Sequence, residues 1–105
     1  MEKTKEEIAQ EIIEKLPSVQ NMTSSNGNDI PNQFEINWAN SRLFQSYRSP
    51  IALLRSGKVY IFKDWNYSKT TGKYRNEFLG ETKKETLAKL KSGEYIAVDF
   101  NVEDL

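Results

Sequence analysis

Basic and aromatic side chains are interleaved between residues 47 and 75, and together these residue types could bind a macromolecule. Single-stranded nucleic acid is held in this way, because rings stack on bases while cations contact phosphates. A host protein that handles nucleic acid could be bound through the same surface. We predict a partner-binding or nucleic-acid-binding surface formed by Arg48, Lys63, Trp65, Tyr67, Lys69, Lys73, Tyr74 and Arg75.

Two arrangements of the aromatic residues fit the sequence. Residues 59–63 alternate as a strand does, so Tyr60 and Phe62 share one face while Val59 and Ile61 share the other. If Val59 and Ile61 belong to the core, Tyr60 and Phe62 form an open aromatic platform. In the other arrangement, lysines extend outward from an aromatic core made of Tyr60, Phe62, Trp65, Tyr74 and Phe78.

Nucleophilic and acid–base catalysis lack their usual groups in this chain. The sequence contains no cysteine and no histidine, so thiol nucleophiles, thiolate-bound metals and the commonest base near neutral pH are missing. Asp64 is the one acid in an aromatic setting. A position in a turn, or an ion pair with Lys69 or Arg75, accounts for this residue without a catalytic role. We expect no enzymatic activity, no cofactor and no metal site.

A single phosphate could bind where a helix begins near Lys69. Thr70–Lys73 resembles the end of a phosphate-binding loop, but residue 67 is Tyr where the Gly-x-x-x-x-Gly-Lys spacing requires glycine. Free N–H groups at a helix N-terminus nevertheless favour an anion. A helix-turn-helix around Gly80 is a further alternative, although its second helix lacks the Arg, Asn or Gln residues that read bases.

The net charge of zero conceals an uneven distribution along the chain. Residues 1–41 carry −4, residues 42–75 carry +7 and residues 76–105 carry −3. This distribution predicts a local positive patch in the middle segment, unless the fold pairs its cations with the acidic ends.

Three segments are expected along the chain. Residues 1–17 predict an N-terminal helix, with a Thr4/Glu7 capping box, an isoleucine stripe and Pro17 as its stop. This stripe must pack on the domain or on a partner, since so short a helix is marginal alone. Residues 18–32 are polar and rich in turn formers, which predicts a flexible linker.

Residues 33–105 predict a single small α+β domain. Strand periodicity begins at Phe34, and two apolar runs joined by Ser56–Gly57 predict a hairpin. Helices are expected to start after Ser68 and Thr82, and a last strand follows them. We predict an antiparallel sheet of 4–5 strands with two or three helices in the chain.

A resemblance to a known family rests on the segments 44–47, 51–52, 57–60 and 65–80. The Tyr-Ser-x-Thr-Thr run at 67–71, followed by Phe-Leu-Gly at 78–80, is its most distinctive part. Over residues 43–98 the chain resembles an uncharacterised family of small proteins from phages and mobile elements of low-GC Gram-positive bacteria. The resemblance implies a phage-type setting, in which inhibitors of host defence, including anti-CRISPR proteins, are prominent.

Together these observations predict a non-enzymatic protein that binds a host macromolecule through its basic-aromatic surface. A host defence nuclease that it inhibits is one form of this partner, and single-stranded nucleic acid is the alternative. No apolar run reaches the ~20 residues that span a bilayer, and the N-terminus has no signal-peptide layout. We therefore expect a cytoplasmic protein, in the host cell if phage-encoded, with no membrane contact.

Overall fold

Six strands form one sheet whose spatial order follows the chain, from β1 at one edge to β6 at the other. The computed structural model describes residues 2–105, so Met1 of the predicted segment 1–17 lies outside them. The elements are α1 (Lys5–Lys15), β1 (Ser18–Thr23), β2 (Asp29–Trp38), β3 (Ser41–Ser46), β4 (Ser49–Arg55), β5 (Lys58–Phe62), α2 (Lys69–Leu79), α3 (Lys83–Ser92), β6 (Ile96–Val98) and a 3-10 turn (Val102–Asp104).

The first five strands are antiparallel neighbours, whereas β6 pairs in parallel with β5. A parallel pair needs a crossover connection, and α2 and α3 supply it. The hairpin predicted at Ser56–Gly57 is confirmed as β4–β5, and both turn residues have the positive φ of the favoured hairpin turn. The α+β class is confirmed, but the sheet has six strands rather than 4–5.

The additional strand lies in the segment predicted to be a flexible linker. Residues 18–23 form β1, and Val19 lies opposite Ile36 of β2. The linker prediction for 18–32 was therefore wrong over this strand and over the start of β2. Its polar composition reflects an edge position, where one side of the strand faces water, and Gln20 donates a hydrogen bond to Glu35 at 2.9 Å.

Helices α2 and α3 pack on one face of the sheet, which we call the covered face. The rings of Phe44 on β3 and Phe78 on α2 lie 5.9 Å apart between centroids. Cross-strand neighbours share a face, so Glu35, Ala52 and Ile61 lie on the same side as Phe44. The buried apolar core comprises Phe44, Ile51, Ala52, Ile61, Trp65, Tyr74, Phe78, Leu90 and Tyr95.

The opposite face of the sheet has no helix of residues 2–105 packed against it, and we call it the open face. Strand alternation places ten apolar residues there, together with Arg55 and Lys58. These apolar residues lie outside the core and its packed neighbours. They are Val19, Phe34, Ile36, Trp38, Leu43, Leu53, Tyr60, Phe62, Ile96 and Val98.

Helix α1 makes little contact with the other elements. The side chain of Thr4 accepts a hydrogen bond from the Glu7 amide at 3.1 Å, which is one half of the predicted capping box. The Glu7 carboxylate accepts from the Thr4 hydroxyl rather than from its backbone N–H. None of the described residues of α1 is buried, and the molecule measures 53 × 34 × 21 Å. The isoleucine stripe thus stays exposed. Within residues 2–105, each helix falls short of the length and apolarity needed to cross a bilayer.

Candidate functional site

A basic cleft runs along the outer side of α2 and is the clearest candidate site. It is a hollow of about 520 Å³ that three lysines and one arginine line together with polar groups. Its lining contains no carboxylate among residues 2–105. The cleft, as we use the term, consists of Asn66, Ser68, Lys69, Gly72, Lys73, Arg75, Asn76 and Lys83.

The helical repeat explains why these residues lie together. Lys69, Gly72, Lys73 and Asn76 are spaced at i, i+3, i+4 and i+7, so they share one side of α2. The helix begins after Ser68, whose hydroxyl accepts a hydrogen bond from the Thr71 amide at 3.0 Å. It ends at Gly80.

The residue that follows this helix orients the second one. Gly80 adopts φ +69, a left-handed conformation that favours glycine, and its N–H bonds to the Asn76 carbonyl. The chain therefore turns at once into α3, whose N-cap Thr82 and Glu85 form a complete capping box. This turn brings Lys83, the first residue of α3, to the cleft.

Arg75 lies at the inner side of the cleft and is only 1% exposed. Its Nη1 donates to the Trp65 carbonyl at 2.5 Å, its Nη2 donates to Asn76 Oδ1 at 2.9 Å, and its guanidinium lies 5.0 Å from the Trp65 ring centroid. The buried Nε has no hydrogen-bond partner, and no carboxylate of residues 2–105 forms an ion pair with this side chain. Burial lowers the pKa of Arg75, and the more distant Glu81 opposes that effect in part.

Gly72 lies next to the buried guanidinium. A Cβ at this position would lie 3.6 Å from Arg75 Nη2, which is ordinary contact distance. The guanidinium therefore lies within contact range of this position, and an alanine here would fit without a clash.

The basic middle segment stays largely unpaired within the molecule. Among residues 2–105, the ion pairs join Lys3 to Glu11, Arg42 to Glu35 and Lys89 to Glu81. Of the eight cations between residues 42 and 75, Arg42 alone takes part in them. Asp64, which the sequence offered as a partner for Lys69 or Arg75, instead lies in the turn before α2, where its carbonyl accepts from the Tyr67 amide.

The predicted site residues fall into three groups. Lys69 and Lys73 are exposed in the cleft, and Arg75 lines it from within. Arg48 and Lys63 are exposed but lie outside the cleft lining. Trp65 and Tyr74 are 4% and 5% exposed, so their rings pack in the core and do not face a partner.

Tyr67, the remaining predicted aromatic, is 49% exposed and anchors a network of hydroxyls. Its Oη lies 3.1 Å from Ser46 Oγ, which lies 2.8 Å from Thr71 Oγ1. Ser68 Oγ donates to the same Thr71 oxygen at 3.0 Å. The Tyr-Ser-x-Thr-Thr run therefore docks the start of α2 on β3.

Each of the two predicted aromatic arrangements is partly realised. Ile61 is fully buried, so Tyr60 and Phe62 lie on the open face, as the platform alternative requires. Trp65, Tyr74 and Phe78 are buried instead in the core.

Five residues of the cleft were not among the predicted site residues: Asn66, Ser68, Gly72, Asn76 and Lys83. Asn76 could have been found, because it continues the spacing of Lys69 and Lys73 on one helical side. Lys83 reaches the cleft through the turn at Gly80, which helical spacing does not reveal. Among the residues described, no three carboxylates come close enough together to hold a metal ion.

Comparison with known proteins places the chain in a family without assigning a role. A family model described as "Family of unknown function (DUF8033)" matches residues 17–95, so the chain belongs to that family. Helix α1 precedes the matched region. The comparisons with curated proteins and with solved structures gave no match.

Proposed function

We propose that this family member is a non-enzymatic binding protein whose basic cleft contacts an anionic surface of a macromolecular partner. The observation that carries the proposal is Arg75, a fully buried cation with an unpartnered Nε beside three lysines. A buried charge without a counter-ion is costly, and an anion bound in the cleft would offset that cost.

A protein partner with exposed carboxylates is the first candidate for this anionic surface. Stacking of bases needs accessible rings. At the cleft, Trp65 and Tyr74 are buried, and half-exposed Tyr67 uses its hydroxyl within the molecule. The cleft therefore offers cations and amide groups rather than a stacking surface.

We further propose that the protein is encoded by a phage or mobile element and that its partner is a host protein such as a defence nuclease. The support for this setting is the resemblance of residues 43–98 to small phage proteins. Mimicry of DNA, the common acidic route to nuclease inhibition, does not suit a chain of zero net charge with a basic cleft.

Single-stranded nucleic acid is the second candidate, and the open face supports it. Tyr60 and Phe62 are accessible there on β5, and the cations Arg55 and Lys58 lie on the same face at the β4–β5 turn. Phe34 and Trp38 share this face but lie on β2, beyond β3 and β4. Rings next to cations on a helix-free sheet are a known arrangement for stacking bases.

A charge-matched pair of variants tests the cleft. The triple substitution Lys69→Ala, Lys73→Ala and Lys83→Ala removes its exposed cations, while Lys5→Ala, Lys84→Ala and Lys91→Ala removes three exposed lysines outside it. Both variants should have a free energy of unfolding within about 1 kcal/mol of the wild type, since all six side chains are at the surface. Only the cleft variant should lose the thermal stabilisation that inorganic phosphate gives at matched ionic strength.

Fluorescence anisotropy with labelled single-stranded and duplex oligonucleotides at two salt concentrations then distinguishes the partners. Binding that is lost in the cleft variant would identify a nucleic-acid partner for the cleft. Binding that is lost in Tyr60→Ala but kept in the cleft variant would favour the second candidate. The proposed cleft function is refuted if phosphate stabilises neither the wild type nor the control variant and if acidic polypeptides bind both lysine variants equally.

A further inference from the structure

Two apolar surfaces have no partner within residues 2–105, and one is a sheet face while the other is the stripe of an amphipathic helix. The first is the open face, where Val19 is 61% and Ile96 38% exposed. Near its β1 edge, Pro17, Ile36, Trp38 and Leu43 line an apolar hollow of about 270 Å³. A contiguous apolar surface of this kind usually marks a docking site.

The second surface is the apolar stripe of α1. Ile8, Ile12, Ile13 and Leu16 are 46%, 55%, 62% and 57% exposed. They lie on one side of the helix, while Glu7, Glu11 and Glu14 lie on the other. An 11-residue helix is marginal in water, so this stripe needs a surface to pack on.

A short connection joins α1 to β1. Only Leu16 and Pro17 separate α1 from β1. Leu16 is extended, with φ −68 and ψ 141, as a residue before proline prefers, and proline itself fixes φ. So short a connection limits the reach of α1, none of whose described residues is buried within its own chain.

The charges of the two surfaces are complementary. Helix α1 has a net charge of −2 over Lys5–Lys15. The open face, among the described residues that form it, holds Arg55 and Lys58 and no carboxylate, because Glu35 lies on the covered face. An acidic amphipathic helix therefore suits this face in both polarity and charge.

We propose that α1 of a second copy of this chain covers the open face, and that two copies exchange their helices in a two-fold symmetric dimer. Helix exchange would bury the apolar stripe of α1 and the open face in both copies, because a two-fold symmetric interface forms each contact twice. The basic clefts stay free, since they lie beyond the helices on the other side of the sheet. The dimer would thus present two clefts to a partner.

Sedimentation velocity on the full chain over a range of concentrations tests the proposal. The wild type should dimerise, and Ile12→Glu on α1 or Leu43→Glu on the open face should weaken the dimer by at least about tenfold. Leu105→Glu is the matched control, because Leu105 is 46% exposed and belongs to neither surface. Circular dichroism establishes that each variant is folded before its mass is interpreted.

Mixing the two interface variants gives the sharper result. Ile12→Glu retains an intact open face and Leu43→Glu retains an intact α1, so an equimolar mixture can form one of the two helix–sheet contacts. The mixture should dimerise more tightly than either variant alone. Rescue of this kind requires that the helix of one copy meets the sheet of another.

Three outcomes would overturn the proposal. The first is a wild type that stays monomeric at every concentration tested. The second is a dimer that Ile12→Glu leaves intact while Leu43→Glu disrupts it, because the two open faces would then pack directly on each other. The third is a mixture that dimerises no better than its components.

Discussion

The two faces of the sheet draw on the same residue types and use them differently. On the covered face Phe44 is fully buried and contacts Phe78, and Ile61 and Ala52 surround them. On the open face Tyr60, Phe62 and Trp38 are half-buried and belong to no buried cluster. Aromatic residues in this chain therefore stabilise the monomer on one face and are available for contacts on the other.

The largest expected difference between the faces is in stability. Phe44→Ala removes a fully buried ring and should lower the free energy of unfolding by about 3–5 kcal/mol. Phe62→Ala removes a half-buried ring from the open face and should cost about 1–2 kcal/mol, since less area leaves contact. Urea unfolding of both variants at low protein concentration measures the difference. Equal losses would mean that the open face is covered in solution.

A pH-dependent effect is expected next, at the carboxylate that joins the α2–α3 turn to β6. Burial alone would raise the pKa of Glu81, but hydrogen bonds from Lys89, Thr86 and Tyr95 outweigh it and lower the pKa below its ordinary value. The contribution of Glu81 to stability is therefore full above the ordinary pKa of glutamate and is lost as pH falls through the lower folded value.

Glu81→Gln should cost about 2 kcal/mol near neutral pH, where charge-assisted hydrogen bonds are lost, and little at acidic pH. Thermal unfolding of the wild type and the variant at a series of pH values measures this. The control is Glu77→Gln, which replaces an exposed carboxylate of α2. This variant should have the thermal stability of the wild type at every pH. A cost for Glu81→Gln that does not change with pH would show that the carboxylate charge is not what stabilises the covered side.

The smallest expected effect concerns two adjacent threonines. Thr71 is fully buried and bonded to Ser46 and Ser68, whereas Thr70 is exposed. Thr71→Val keeps the shape but removes the hydroxyl, and it should cost about 1 kcal/mol. Thr70→Val should be nearly neutral. Chemical denaturation of the pair compares them, and equal effects would exclude a role for the hydroxyl network in docking α2.

Local signals in the sequence predicted the ends of the helices and the tightest turn. Thr4, Ser68 and Thr82 all cap helices, and Gly80 ends α2 in the left-handed conformation. These features depend on hydrogen bonds between residues no more than four apart, which the sequence displays directly. The α+β class followed from the order of such elements.

Strand β1 and the candidate site show why the rest could not be predicted. Residues 18–23 are polar and resemble a linker, and only pairing with β2 makes them a strand. Lys69 and Lys73 were expected at a binding surface, but Lys83 joins them only through the turn between two helices. Arg75 was expected to be exposed and is instead buried against Trp65.

The sequence by itself determined where helices begin and end, where the sheet turns back, and that the basic residues gather in one segment. The tertiary structure decided which aromatic side chains are buried, that one buried cation has no ion-pair partner, and that one sheet face and one helix stripe have no partner within residues 2–105. The physical reason is the distance along the chain over which each interaction acts. Capping and turn formation act between neighbours in the chain, whereas burial depends on which of two equivalent strand faces the helices cover.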